Sequence, residues 1–225
     1  MTRYLADYAS YQGALTVADL HRAEFQVVNF KTSHGTTTKA VHPRITTEIA
    51  SARKLGMGIG TFHWLIGNMS GTDQANYAFG RLSTLGLTKS TMHTVDVEEQ
   101  TGTDDDELAP TWQHIVDYVT RMKSLLGRPV AIYTGDWWWN ATGRKWKGST
   151  LSPYLMAAPN VGYLDGYPGA NSEHWKAGYG GWTDLSVMQY IVDTLIYPGG
   201  TRSTVEVSKS AIRDEAVWRA LTGGN

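Results

Sequence analysis

Met92-His93-Thr94-Val95-Asp96-Val97-Glu98-Glu99 is a short β-branched run that finishes in acids. Its period of two places Asp96 and Glu98 on one face and Val95 and Val97 on the other. At a rise of about 3.3 Å per residue the two Cβ atoms lie roughly 6–7 Å apart, so two carboxyls converge on one spot. Taken alone, Asp-x-Glu also fits a solvated strand end or an ion pair with Lys or Arg. The rest of the chain has to decide between these readings.

Similar apolar runs recur on both sides of it. Strands are expected at Tyr4–Ala9, Gln26–Lys31, Gly58–Leu65, Met92–Glu98, Pro129–Thr134, Tyr154–Ala158, Ser186–Ile191 and Val205–Ser208. Helices are expected at Thr16–Ala23, Ile45–Leu55, Asp73–Leu85 and Ala109–Leu126, with Gly56 placed to cap the second. Strand and helix alternate cleanly up to Thr134; from Gly135 to Gly181 Gly, Pro, Trp and Tyr dominate and no long amphipathic helix is evident. This order predicts an α/β fold, an irregular TIM-like barrel forming one domain over residues 1–225. The end Thr222-Gly223-Gly224-Asn225 reads as frayed or as the start of a linker.

In such a barrel the C-terminal strand ends carry the active site, so acids placed there read as catalytic more readily than as structural. A neighbouring carboxylate and partial burial both oppose ionisation, so one acid can hold a proton near neutral pH. Glycosidic cleavage requires such a donor. Asp7 adds a third carboxylate, because it lies inside the apolar first strand, where an acid needs a reason.

Composition narrows the function. A net charge of −1 supplies no broad positive field for nucleic acid or an anionic membrane. There is no cysteine, which removes disulfides, thiolate metal sites and a cysteine nucleophile. No stretch is apolar for long enough to cross a membrane, and the N-terminus has no basic region followed by an apolar signal core. Nine Trp and twelve Tyr against four Phe favour rings with a polar handle, which suits sugar binding.

Several of these segments, in order and spacing, resemble glycoside hydrolase family 25, the Chalaropsis-type lysozymes common among bacteriophage endolysins. Asp7-Tyr8-Ala9-Ser10-Tyr11-Gln12-Gly13 is similar to the family's Asp-x-Ser-x-x-Gln-Gly opening, and Lys31-Thr32-Ser33-His34-Gly35 to its Lys-Ala-Thr-x-Gly segment. Gly60-Thr61-Phe62-His63-Trp64 resembles its Gly-x-Tyr-His-Phe strand, Val95-Asp96-Val97-Glu98 its Asp-x-Glu strand, Tyr133-Thr134 its Tyr-Thr strand and Met188-Gln189-Tyr190 its Trp-Gln-Tyr segment.

The resemblance implies five βα units followed by three further strands. It also implies cleavage of the β-1,4 bond between N-acetylmuramic acid and N-acetylglucosamine in peptidoglycan, with retention. The rival readings are an endo-β-N-acetylglucosaminidase or chitinase, which also uses acid-ended barrel strands, and a wall-binding barrel without turnover, against which Asp7, Asp96 and Glu98 argue. Glu98 would be the acid/base, Asp96 would orient or polarise the substrate's acetamido group, and Asp7 would support that pair. Whether a protein nucleophile or the acetamide attacks stays open, with assistance by the acetamide preferred. The chain departs from the family where a fourth acid is usual on the last strand: Ser208 stands there, with Glu206 two residues earlier. His34 and Phe62 stand where an acid and Tyr are more usual.

Substrate-binding candidates are Lys31, His63, Trp64, Tyr133, Trp137, Tyr167, Gln189 and Tyr190. His63 reads equally well as a satisfied core histidine, and Trp137-Trp138-Trp139 cannot all face one way. Asp104-Asp105-Asp106-Glu107 precedes a helix, where carboxylates favour the N-terminal dipole. No dense His/acid spacing suggests a metal, and no cofactor is called for. The expectation is a monomer acting on peptidoglycan glycan strands, made in a host cytoplasm by a phage and reaching the wall after release.

Overall fold

Eight strands close into a barrel in chain order: β1 (Arg3–Tyr8), β2 (Val27–His34), β3 (Gly58–Trp64), β4 (Met92–Asp96), β5 (Ala131–Tyr133), β6 (Leu155–Ala157), β7 (Val187–Ile196) and β8 (Val205–Ile212). The first seven run parallel, and β8 returns antiparallel to both β7 and β1. Helices α1 (Val17–Arg22), α2 (Ile45–Lys54), α3 (Gly71–Thr84), α4 (Trp112–Leu126) and the four-residue α5 (Asp136–Trp139) follow β1 to β5, and α6 (Glu215–Thr222) follows β8. The computed structural model describes residues 2–98, 107–140, 145–196, 198–200 and 205–224.

Local chemistry sets the helix ends. Thr16 and Asp19 form a capping box on α1, the Ser70 hydroxyl caps α3 through the Asp73 N–H, and α2 stops at Gly56, whose φ of 69° is the left-handed conformation expected of a terminating glycine. Between Gly135 and Gly181 the described residues hold strand β6 and no helix longer than four residues, as expected. The aromatic residues there pack instead: Trp138, Trp139, Trp175 and Tyr179, with Trp182 just beyond, are buried together against the outer faces of β5 to β7.

The barrel interior is apolar at its base and polar above. Leu5, Val27, Met92, Ala131, Met156, Val187 and Ile212 point inward and pack on Trp218 and Leu221 of α6, which plugs the N-terminal mouth. The sequence reading did not include this helix, although Asp214 caps it and Gly223 ends it. Thr222 is therefore not part of a frayed end: it is buried, and its hydroxyl donates to Trp218 O at 2.9 Å. β7 and β8 also run several residues beyond their expected ends.

The acidic run before α4 is a second correction. Asp104, Asp105 and Asp106 lie outside the described residues. Glu107 precedes α4 by a full turn and bonds His34 and Lys39 rather than the helix N-terminus.

Candidate active site

One register step above the apolar base, the inward side chains become polar. Asp7 on β1, Asn29 and Lys31 on β2, Phe62 and Trp64 on β3, Thr94 and Asp96 on β4, Tyr133 on β5 and Gln189 on β7 line a cavity of about 330 Å³ at the C-terminal mouth, with Glu98 just past β4. Strand alternation alone selects these residues. The Val97 N–H continues the ladder to Tyr133 O at 2.9 Å, so Glu98 stays in phase with Asp96 after the strand ends.

Asp7 is clamped from two sides. Asn29 Nδ2 donates to Asp7 Oδ1 at 2.8 Å and Gln189 Nε2 to Asp7 Oδ2 at 3.0 Å, while the Tyr133 hydroxyl donates to Gln189 Oε1 at 2.9 Å. Asn29 fits because Gly60 faces it: a Cβ there would sit 2.6 Å from Asn29 Oδ1. The buried Asp96 Oδ1 has no hydrogen-bond partner among the described residues.

Burial governs the charge state. It pushes Asp7 up to about 6 despite its two hydrogen bonds, and Glu98 up to about 7. Asp96 is raised well above the usual carboxylate range by burial first and by the Glu98 charge second. Lys31 opposes the Asp96 and Glu98 shifts and is itself lowered by burial; its ammonium lies 4.9 Å from the centre of the Trp64 ring. Among the described lining residues Lys31 is the one cation, so it offsets only part of three converging negative charges, and the cluster keeps protons at neutral pH.

The candidates divide. Asp7, Asp96, Glu98, Lys31, Trp64, Tyr133 and Gln189 come together in the cavity. His63 and Tyr190 do not, because each is the strand neighbour of an inward residue and so faces outward. The His63 ring is fully buried and stacks 4.7 Å from Tyr118 of α4, and Tyr190 packs against Tyr167. Tyr167 itself lies outside the barrel, its hydroxyl bonded to Thr2 Oγ1 at 3.2 Å and its ring against Tyr4. Trp137 is exposed on α5 and does not line the cavity. Ser208 does line it, whereas Glu206 is exposed and does not.

Among the lining residues not named as candidates from the sequence, four stand out. Asn29 and Phe62 carried a signal, being in phase with Lys31 and Trp64. Tyr11 and Tyr163 are exposed rings at the rim, held on connections whose path no periodicity reveals.

A barrel with clustered, proton-holding carboxylates at its C-terminal mouth is the arrangement that glycoside hydrolysis calls for. The glycosyl hydrolases family 25 pattern matches residues 6–190, and the chain belongs to that family. It is a glycoside hydrolase.

The fold has close likenesses among solved structures. The lysozyme from Streptomyces coelicolor superimposes with a TM-score of 0.73 at 20% identity, covering 99% of this chain and 98% of that one. A muramidase from Trichobolus zukalii gives 0.70 at 21% identity, covering 98% and 99%. The catalytic domain of endolysin ply40 from the Listeria monocytogenes bacteriophage P40 gives 0.64 at 15% identity, covering 100% and 98%. At these identities the likeness is one of fold. No curated protein sequence matches the chain.

Proposed function

We propose that this glycoside hydrolase is an N-acetylmuramidase, cleaving the β-1,4 bond between N-acetylmuramic acid and N-acetylglucosamine in peptidoglycan with retention. The observation that carries the reading is Glu98: a carboxyl at the cavity mouth, raised to about 7 beside a more deeply buried Asp96. Family membership and the lysozyme and muramidase names of the structural neighbours point to the same substrate.

In this mechanism Glu98 donates its proton to the glycosidic oxygen as the bond to the muramic acid C1 breaks. The acetamide carbonyl oxygen of the same sugar attacks C1 from the opposite face, closing an oxazolinium ring. Asp96 accepts the acetamide N–H, which orients that carbonyl and stabilises the positive charge developing on the amide. The unpartnered Oδ1 of Asp96 suits this donor. An N–H arriving at Asp96 also favours its carboxylate, which leaves the shared proton on Glu98.

Glu98, now ionised, takes a proton from water, whose oxygen adds to C1 and reopens the ring. Two inversions give net retention. Asp7, held by Asn29 and Gln189, supports the pair through the barrel, and Lys31, Trp64, Tyr133 and Gln189 contact the sugar. On this reading the chain is a phage enzyme that acts as a monomer on the bacterial wall; the likeness to the P40 endolysin domain supports the phage part of it.

Digestion of purified walls followed by borohydride reduction tests the bond assignment. New reduced ends should be muramitol; reduced glucosamine ends would replace this reading with a glucosaminidase.

A further inference from the structure

Glu107 belongs to neither the cavity nor helix α4, yet its half-buried carboxylate is the centre of a side-chain cluster at the barrel mouth. Its Oε2 accepts from His34 Nε2 at 2.8 Å and its Oε1 from Lys39 Nζ at 2.8 Å. His34 is only 4% exposed. Its ring lies nearly parallel to Trp64, 5.8 Å between centres with 14° between planes, so one ring packs on the other. Trp64 in turn lines the cavity and is the register partner of Asp96.

A break in the β2–β3 register creates this stack. Lys31 pairs with Phe62 but Ser33 pairs with His63, so Thr32 is an extra residue and His34 falls opposite Trp64. Without that bulge His34 would follow the outward phase.

The segment carrying Glu107 is anchored independently. The Leu108 N–H donates to Asn68 Oδ1, and the Gly67 N–H donates to Leu108 O at 2.6 Å, which ties it to the loop between β3 and α3. Glu107 thus reaches from the connection after β4, past the end of β3, to the loop after β2. Burial lowers the His34 pKa and the Lys31 charge lowers it further, so the ring is neutral at neutral pH and Nε2–H is the donor. Lys39 and His34 hold Glu107 below the usual carboxylate range despite its burial.

We propose that Glu107 is a positioning residue, which by fixing His34 and Lys39 holds the Trp64 ring as the wall on which a pyranose of the substrate rests. This rests on the reading of the cavity as a glycan site. The bridge is longer in reach than any single strand neighbour, and it leaves the reacting carboxyls untouched. Its loss should therefore weaken binding more than turnover.

Two measurements on the purified chain test this. On a soluble peptidoglycan oligosaccharide, Glu107→Ala should raise KM roughly tenfold with kcat within about twofold, and Glu107→Gln, which keeps one acceptor, should recover most of the loss. Trp64→Phe should show the same KM effect, and adding Glu107→Ala to it should change KM no further, since both act through one ring.

In protein labelled with 5-fluorotryptophan, the fluorine resonance assigned to Trp64 by its loss in Trp64→Phe should shift or broaden in Glu107→Ala, while the lines of distant indoles such as Trp175 stay in place. An unmoved Trp64 line, an unchanged KM, or KM effects that multiply in the double variant would overturn the proposal. If wild type cleaves no peptidoglycan but the Trp64 line moves, the substrate reading fails and the positioning role stands.

Discussion

Strands β2, β3 and β4 are polar on both faces, and the two faces handle charge in opposite ways. Inward, Lys31, Asp96 and the following Glu98 meet in a cavity open to a ligand, with Asp7 opposite. Outward, His63 and His93 are sealed between the sheet and helices α3 and α4, where Tyr118 stacks on His63 and bonds His93 Nε2 at 2.9 Å. The outward network is almost closed on itself. Ser33 Oγ bonds His63 Nδ1 at 2.8 Å, and Gln74 spends its amide on Ile66 and Met69 carbonyls.

Thr61 fixes a tautomer there. Its hydroxyl donates to Met92 O at 3.1 Å, so His93 Nδ1 must donate to Thr61 Oγ1 and Nε2 must accept from Tyr118. Burial raises the inward acids and lowers the outward histidines, so both sets are driven neutral. The difference lies in satisfaction. Outward groups have protein partners and stabilise a docked helix pair; inward Asp96 retains an unmet acceptor. Buried polar residues mark a working site where they converge unmet on a cavity.

The largest effect that would sharpen this contrast is at Glu98. Glu98→Gln should lower kcat by about a thousandfold or more, the range general acid catalysis supplies. It should also raise Tm at pH 8. The sign follows from the raised folded pKa of about 7: above the unfolded value of 4.5 the folded state binds the extra proton, and stability declines as pH climbs towards 7. Glutamine removes that loss. A Tm at pH 8 unchanged or lowered would mean that Glu98 is well solvated, and the contrast between the faces would dissolve.

A smaller effect is expected at Lys31. Lys31→Met removes the positive charge that lowers both Glu98 and Asp96. Both carboxyls then hold protons to higher pH. The activity profile should move to more alkaline pH on both limbs, with kcat at the new optimum down roughly 10–100-fold. A profile that stays in place would show that Lys31 acts only as packing under Trp64.

Much of this arrangement was legible. Period-two alternation in Met92–Glu98 is enough to bring Asp96 and Glu98 to one face, and Asp7 stands out as an acid in an apolar strand. The same alternation, applied strictly, separates His63 from Trp64 and Tyr190 from Gln189, since neighbours in a strand cannot share a cavity. Other features had no local signature. The extra residue at Thr32, which swings His34 under Trp64, is set by pairing with β3. The reversed direction of β8 depends on closing the barrel, not on its own apolar pattern. Glu107 looked like a helix-dipole acid because its partners lie 73 and 68 positions away.

The smallest effect on activity, and the sharpest test of the outward face, is acid stability. His93 is held at about 3 against an ordinary 6.5, by burial first and the Arg128 charge second. The unfolded chain therefore binds the proton first: His93 contributes its full stability above pH 6.5 and loses it as pH falls towards 3, on the order of 5 kcal/mol at the end. Asp7 and Glu98 run the other way, gaining as pH falls from about 7 to about 4. Two carboxyls outweigh one histidine between about pH 4.5 and 6, so Tm should rise as pH falls from 7 towards 4.5; below about pH 4 the carboxyl gain is complete while the histidine loss continues, and Tm should fall. His93→Gln should lower Tm at neutral pH, flatten the falling limb below about pH 4, and leave kcat at pH 6 within about twofold. Thermal melts across pH 3–8 read all of this, and an acid limb as steep in His93→Gln as in wild type would place the acid-sensitive group elsewhere.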